Sequence, residues 1–222
     1  MLQSTTPKFL KSLAKNNDKS WFESHRNQYE EAKQDYETFI EAVLVKHSKK
    51  DEDLKDLTAK KCLFRINRDV RFSKDKSPYK SNFGASINRG GKKSIFAGYY
   101  FHLEPGKSFV GGGLWVPMAP EMKKVRQEID YCYDEFRQIV TSKKFKTVYG
   151  DLYTGDDMKL IKVPQGFEKD NPAAEFLKLK SWLAMREVPD AELLSKDLIK
   201  KTVGAFEALQ PMIKFLNRAL EN

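Results

Sequence analysis

Cysteine is almost absent from this chain: Cys62 and Cys132 are the only two in 222 residues. Thiols this far apart make neither a disulfide framework nor a CxxC metal site, so both read as small buried hydrophobes. Familiar catalytic signatures are missing too. There is no GxSxG elbow, no HExxH helix, no Walker loop and no Rossmann glycine fingerprint. No apolar run approaches the ~18 residues of a membrane span. The opening MLQSTTPKFLKSL has no apolar h-region, so the expected location is the cytoplasm, with no membrane partner. Internal repeats and low-complexity tracts are absent as well.

What the chain does have is a core and a basic excess. Hydrophobic residues at 40% and aromatics at 12% are globular values, and the length suits one domain over 1–222. Forty Lys and Arg stand against 31 Asp and Glu, a net charge of +9. That balance favours anionic partners such as phosphates, nucleic acid or acidic surfaces; charge scattered for solubility is the plain alternative.

The apolar spacing predicts helices at both ends and strands between them. Thr6-Pro7 opens a short helix that stops at Asn16-Asn17. Ser20 with Glu23 reads as a capping box for one long helix carrying Trp21, His25, Tyr29, Tyr36, Phe39 and Leu44. His25 reads as a hydrogen-bonded core residue and His47 as solvated. Residues 94–104 and 107–116 form the clearest hairpin, closed by Glu104-Pro105-Gly106-Lys107 in a type II turn. A two-residue loop sets His102 opposite Phe109 and Tyr100 opposite Gly111. Gly111-Gly112-Gly113 then leave room for a large ring or another backbone. Residues 120–141 and 171–183 have helical spacing, as do two later segments, the last containing Pro211. Short strands are expected at 147–153 and 159–163, separated by Thr154-Gly155-Asp156-Asp157. The fold class is α+β, a largely antiparallel sheet of about five strands between N-terminal and C-terminal helices.

The densest segment is CLFRINRDVRFSKDKSPYKSNFGASIN, residues 62–88. Period two puts Cys62, Phe64, Ile66, Val70 and Phe72 on a buried face and Arg65, Asn67, Asp69 and Arg71 on an ionic one. After the turn at 73–78, Lys80, Asn82, Ser86 and Asn88 share the polar side of a second strand. Six cations, Arg65, Arg68, Arg71, Lys74, Lys76 and Lys80, face only two acids, Asp69 and Asp75. Guanidinium forks grip phosphate or carboxylate in pairs, and lysine adds a mobile charge. Arg68, Arg71, Lys76 and Lys80 are therefore the candidate anion contacts, with Asp69 and Asp75 orienting them. Tyr79, Tyr100 and His102 line the neighbouring wall. The competing reading is an Arg-Asp lattice that only fixes a turn. His102 and Glu104 fall short of a zinc set without a third ligand, so no metal is expected.

The run Arg68-Asp69-Val70-Arg71-Phe72-Ser73-Lys74-Asp75-Lys76-Ser77-Pro78-Tyr79-Lys80 carries a resemblance. Asn16-Asn17 and Trp21-Phe22 precede it; Gly98-Tyr99-Tyr100, Gly111-Gly112-Gly113-Leu114, Val163-Pro164-Gln165-Gly166-Phe167 and Leu177-Lys178-Leu179-Lys180 follow. Together they resemble a widespread family of conserved hypothetical proteins, described only as a domain of unknown function. The resemblance implies one full-length domain and supplies no activity, cofactor or catalytic residue. The functional expectation is a cytoplasmic protein whose cationic sheet face binds a phosphorylated or other anionic small molecule. Whether chemistry follows is left open by the residues. Nucleic acid is the alternative partner, and a non-catalytic structural or interaction module is the third reading.

Overall fold

Asparagine and aspartate punctuate the N-terminal helices of the structure, a computed structural model that describes residues 1–155 and 158–221. Helix α1 (Thr5–Lys15) buries Phe9, Leu10 and Leu13 and ends at Asn16. The Asp18 carboxylate then accepts from the Trp21 N–H at 2.9 Å, capping α2 (Lys19–Ser24) in place of the expected Ser20 box. The expected long helix breaks at His25, where φ is −113°, and resumes as α3 (Arg26–His47). His25 stacks on Trp21 at 4.0 Å. His47 is buried, contrary to expectation, and the one-turn helix α4 (Ala59–Cys62) follows, ending at Cys62, which the period had placed in a strand.

The chain divides into two compact units, the first formed by Met1–Lys92, Tyr100–Val110 and Glu187–Gly204, the second by Lys93–Tyr99, Gly111–Arg186 and Ala205–Asn222. In the first, α3 presents Tyr36 and Phe39 to the apolar sides of strands β1 (Phe83–Ile87) and β2 (Gly98–Leu103). Tyr36 lies 5.4 Å from Phe83, Phe39 meets Phe101 edge-on at 4.8 Å, and the Tyr36 hydroxyl donates to the Phe101 carbonyl at 2.8 Å. That bond satisfies a phenol with no access to water.

Strand β3 (Phe109–Leu114) follows the turn, where the Lys107 N–H donates to the Glu104 carbonyl at 2.8 Å and Gly106 has φ +81°. These are the marks of a type II turn. His102 lies against Phe109, as the two-residue loop requires. After β3 come α5 (Ala119–Tyr131), α6 (Tyr133–Thr141), α7 (Lys143–Tyr149) and α8 (Ala174–Leu177). Strand β4 (Trp182–Glu187), α9 (Asp190–Leu193) and α10 (Leu198–Glu221) complete the order, with Pro211 inside α10. In the second unit Phe136 packs on Phe176 at 5.1 Å and on Phe215 at 5.0 Å, and Tyr99 on Phe206 at 4.7 Å.

The fold is α+β, and its antiparallel sheet has four strands in the order β1-β2-β3-β4 rather than about five. Three local outcomes explain the difference. Among the described residues, residues 62–72 form no continuous ladder with the following segment, only the isolated bridges Leu63 to Ala85 and Asn67 to Tyr79, because the chain leaves the pairing after Arg68, whose N–H still donates to the Pro78 carbonyl at 2.9 Å. Residues expected as strand from 147 begin inside α7, and Lys159 makes one bridge, to Leu179. Asp156 and Asp157 of the expected turn lie outside the described residues. Conversely, β4 occupies the end of an expected helix. Trp182, Leu183 and Ala184 are all buried, and a strand covered on both faces loses the alternation that identifies it.

The triple glycine admits backbone. A Cβ on Gly111 would lie 2.1 Å from the Ala184 carbonyl oxygen, and one on Gly113 would lie 1.9 Å from that of Trp182. Among the described residues, no helix is long and apolar enough to cross a membrane.

Candidate functional site

The polar side of the first unit's sheet is assembled from three stretches that the alternation sends the same way. Phe64 joins it because its N–H donates to the Gly84 carbonyl at 3.0 Å, and Lys80 because its N–H donates to the Ile66 carbonyl at 2.8 Å. Asn82 follows Lys80 by two residues, and Tyr100, His102 and Glu104 alternate outward from β2. Gly84 leaves the space that the Tyr100 ring fills, since a Cβ there would lie 2.4 Å from the phenol oxygen.

His102 is the hub of this face. Its Nε2 is 3.0 Å from Glu104 Oε2 and 3.1 Å from Asn82 Nδ2, its Nδ1 is 3.3 Å from the Tyr100 hydroxyl, and its ring stacks on Phe109 at 4.8 Å and 12°. Each ring nitrogen therefore has a protein partner, which fixes the ring's orientation. Burial pushes the Tyr100 phenol up to about 12, so it stays a neutral donor. Among the described residues, no group of three or more His, Cys, Asp or Glu could hold a metal ion.

The cations fall into two classes. Arg68 pairs with Asp75 and also reaches Ser73 Oγ at 3.3 Å. Arg71 grips Asp69 through Nε at 2.9 Å and Nη2 at 2.6 Å, while Lys76 donates to the Val70 carbonyl at 3.0 Å. Ser77 donates to Asp75 through both its N–H and its hydroxyl. These bonds close residues 68–78 into a braced loop. Hydrogen bonds from Ser77 and Arg68 hold the Asp75 carboxyl well below the usual carboxylate range, and those from Arg71 do the same for Asp69.

Lys80 and Arg65 form the second class. Lys80 lies over the Phe64 ring at 5.5 Å, and among the described residues no carboxylate pairs with it. Desolvation and the nearby Arg65 charge lower its ammonium pKa. Phe64 is in turn 6.4 Å from Tyr100, which makes the face continuous from Lys80 to His102.

The structure thus brings Lys80, Tyr100 and His102 onto one face and sets Arg68, Asp69, Arg71, Asp75 and Lys76 in the adjoining loop. Tyr79 turns inward, its ring stacked on Phe22 at 3.9 Å. Trp115 belongs to the second unit and is exposed. Val70 and Phe72, expected on the buried side, follow the loop outward, and Phe72 is 95% exposed. Arg65, Asn82 and Glu104 join the site although the sequence reading placed them only among the cations, on the polar strand side and as half of a rejected zinc pair, not among the candidate contacts.

A cavity of about 530 Å³ in the second unit lies between α6 and α10, bordered by Glu135, Ser142, Phe215 and Arg218. Arg218 is already committed there to Glu128 at 2.7 Å and to Glu135 through two bonds of 2.7 and 3.1 Å. Its cation is neutralised in place.

No curated protein and no solved structure matches the chain. The model of the family described as conserved hypothetical protein DUF2461 matches residues 5–215, and the chain belongs to that family.

Proposed function

We propose that the polar sheet face of the first unit binds a phosphate-bearing or similarly anionic small molecule, with 1–222 acting as one functional domain. The observation that supports this reading is the Arg65 and Lys80 neighbourhood. Two like charges stand close enough for one to depress the other's pKa, and Lys80 faces an aromatic ring rather than a carboxylate. Like charges held together repel, Asp69 offsets only the Arg65 side of the pair, and an anion between the two cations converts the repulsion into two attractions.

In this reading Lys80 and Arg65 take the anion. Tyr100 and His102, oriented through Asn82 and Glu104, supply the wall and its hydrogen-bonding edge. The braced loop carries Arg68, Arg71 and Lys76 to the rim, where the guanidinium N–H groups not engaged by Asp69 and Asp75 can reach a second oxygen. The Asp69 and Asp75 carboxylates set the aim of those guanidinium groups.

Thermal-shift measurements against inorganic phosphate, nucleoside monophosphates and phosphosugars test the proposal. A ligand at 100 times its Kd should add about 2.7 kcal/mol of stability. The response should vanish in Lys80→Ala and weaken in Arg65→Ala, while Lys107→Ala at the hairpin turn keeps it. Absence of any response across the panel would overturn the reading.

A further inference from the structure

Phe72 stands almost wholly in water. The core takes most of the chain's large aromatic rings, yet this phenylalanine, 95% exposed, sits at the tip of the loop at 68–78. Leaving such a ring exposed forgoes the free energy that its burial would contribute. The position of the tip is set by bonds within the loop. Arg68 closes on Asp75 and Ser73, Arg71 grips Asp69 at two points, and Lys76 holds the Val70 carbonyl. The loop is braced, and what it presents is an aromatic side chain.

The surroundings of that ring say what it fits. The Arg71 guanidinium lies 5.8 Å from the centroid of the Phe72 ring, a cation set against an aromatic face. Lys74 and Lys76 follow Phe72 in the same loop, and both are exposed. The loop's two carboxylates, Asp69 and Asp75, are each engaged by a guanidinium inside the loop. What reaches outward is one flat ring beside the Arg71 guanidinium, on a loop that also exposes Lys74 and Lys76.

Such an arrangement matches single-stranded nucleic acid, in which a base stacks on an aromatic ring while flanking phosphates meet cations. A lipid surface would call for a broader apolar insertion, and among the described loop residues Phe72 is the one large apolar side chain classed as exposed. A duplex keeps its bases stacked on one another and offers no free face to the ring.

We propose that the loop at 68–78 is a stacking finger for single-stranded nucleic acid, with Phe72 as the platform for one base and Arg71, Lys74 and Lys76 as contacts to the neighbouring phosphates. The finger shares Arg71 and Lys76 with the rim of the anion site but uses Phe72 where that site uses Lys80, so variants at these two positions separate the readings.

Fluorescence anisotropy with a labelled oligothymidylate, a labelled oligouridylate and a matched duplex tests the finger on the full chain. Single strands should bind, more weakly as salt rises. Phe72→Ala should reduce affinity roughly tenfold, a loss in the range of one lost base stack. Phe72→Trp should keep the affinity, and its added fluorescence should be quenched on binding. Because the Phe72 side chain is exposed, thermal denaturation should be the same in all three proteins.

Failure to bind any single strand at low salt would overturn the proposal. Binding that Phe72→Ala leaves untouched but Lys80→Ala abolishes would place the strand on the sheet face alone, overturning the finger and leaving the anion site standing. Phe72-dependent sedimentation with phosphatidylserine vesicles, with no oligonucleotide bound, would assign the loop to a lipid surface instead.

Discussion

The Asn17 carboxamide closes on both backbone groups of Tyr79, donating to its carbonyl at 2.9 Å and accepting from its N–H at 3.1 Å. A side chain just past α1 thus acts as the strand partner that Tyr79 otherwise lacks on that side. The same residue carries Lys80 onto the polar face, so the clamp links the N-terminal helices to the candidate site. Asn17→Ala should lower stability by about 2 kcal/mol in urea denaturation, the typical cost of two unreplaced backbone partners. It should also weaken any ligand response that depends on Lys80. Asn17→Asp, which accepts but cannot donate, should fall between the two.

Asn217 repeats the device in the second unit. Its Oδ1 accepts from the Ala97 N–H at 2.8 Å and its Nδ2 donates to the Ala97 carbonyl at 3.2 Å. Here the side chain is buried, which reverses the order of the substitutions. Asn217→Asp places a carboxylate beside a carbonyl oxygen in the core and should be worse than Asn217→Ala, itself costing about 2–3 kcal/mol. Equal denaturation midpoints for the two variants would refute the assignment.

These clamps also show where the sequence stops being readable. The β2–β3 hairpin could be read locally, because Tyr99, Phe101, Leu103 and Val110 alternate into the core and Pro105-Gly106 name their own turn. The polar face could be read the same way, through Lys80, Tyr100 and His102. Asn17 could be read only as the end of a helix, since its partner lies 62 positions away. Phe72 was placed inside by a period that already fails at Phe64, which is 39% exposed on the polar face, and that ends once Arg68 turns the chain into its braced loop. For β4, the three buried residues Trp182 to Ala184 are as compatible with a helix as with a strand.

Gly113 offers a sharper test of β4. Its φ of +126° is a conformation that side chains avoid, and an added Cβ would lie 1.9 Å from the Trp182 carbonyl oxygen, which is backbone and cannot swing away. Gly113→Ala should therefore destabilise by about 3 kcal/mol, combining strain with overpacking. Gly106 has a similar positive φ but open space around it, so Gly106→Ala should cost only about 1 kcal/mol. Chemical denaturation of the two variants side by side separates the close approach from the dihedral.

Cys62 and Tyr100 are two of the buried groups, with Tyr36 and Tyr149, that weaken the fold at alkaline pH. Burial pushes the Cys62 thiol from 9.0 to about 12 and the Tyr100 phenol from 10.0 to about 12. Both groups hold their protons longer when folded than when unfolded. Their stabilising contribution is therefore complete below about pH 9 and is lost progressively as pH rises towards 12. Denaturation midpoints should fall across that window, and Cys62→Ala should flatten the lower part of the decline. The same shift should slow alkylation of native Cys62 about a thousandfold, the ratio of thiolate fractions for a thiol moved from 9.0 to about 12. Cys132 is half-buried, so iodoacetamide should label it first; mass spectrometry finding Cys62 modified first in the folded protein would contradict the burial argument.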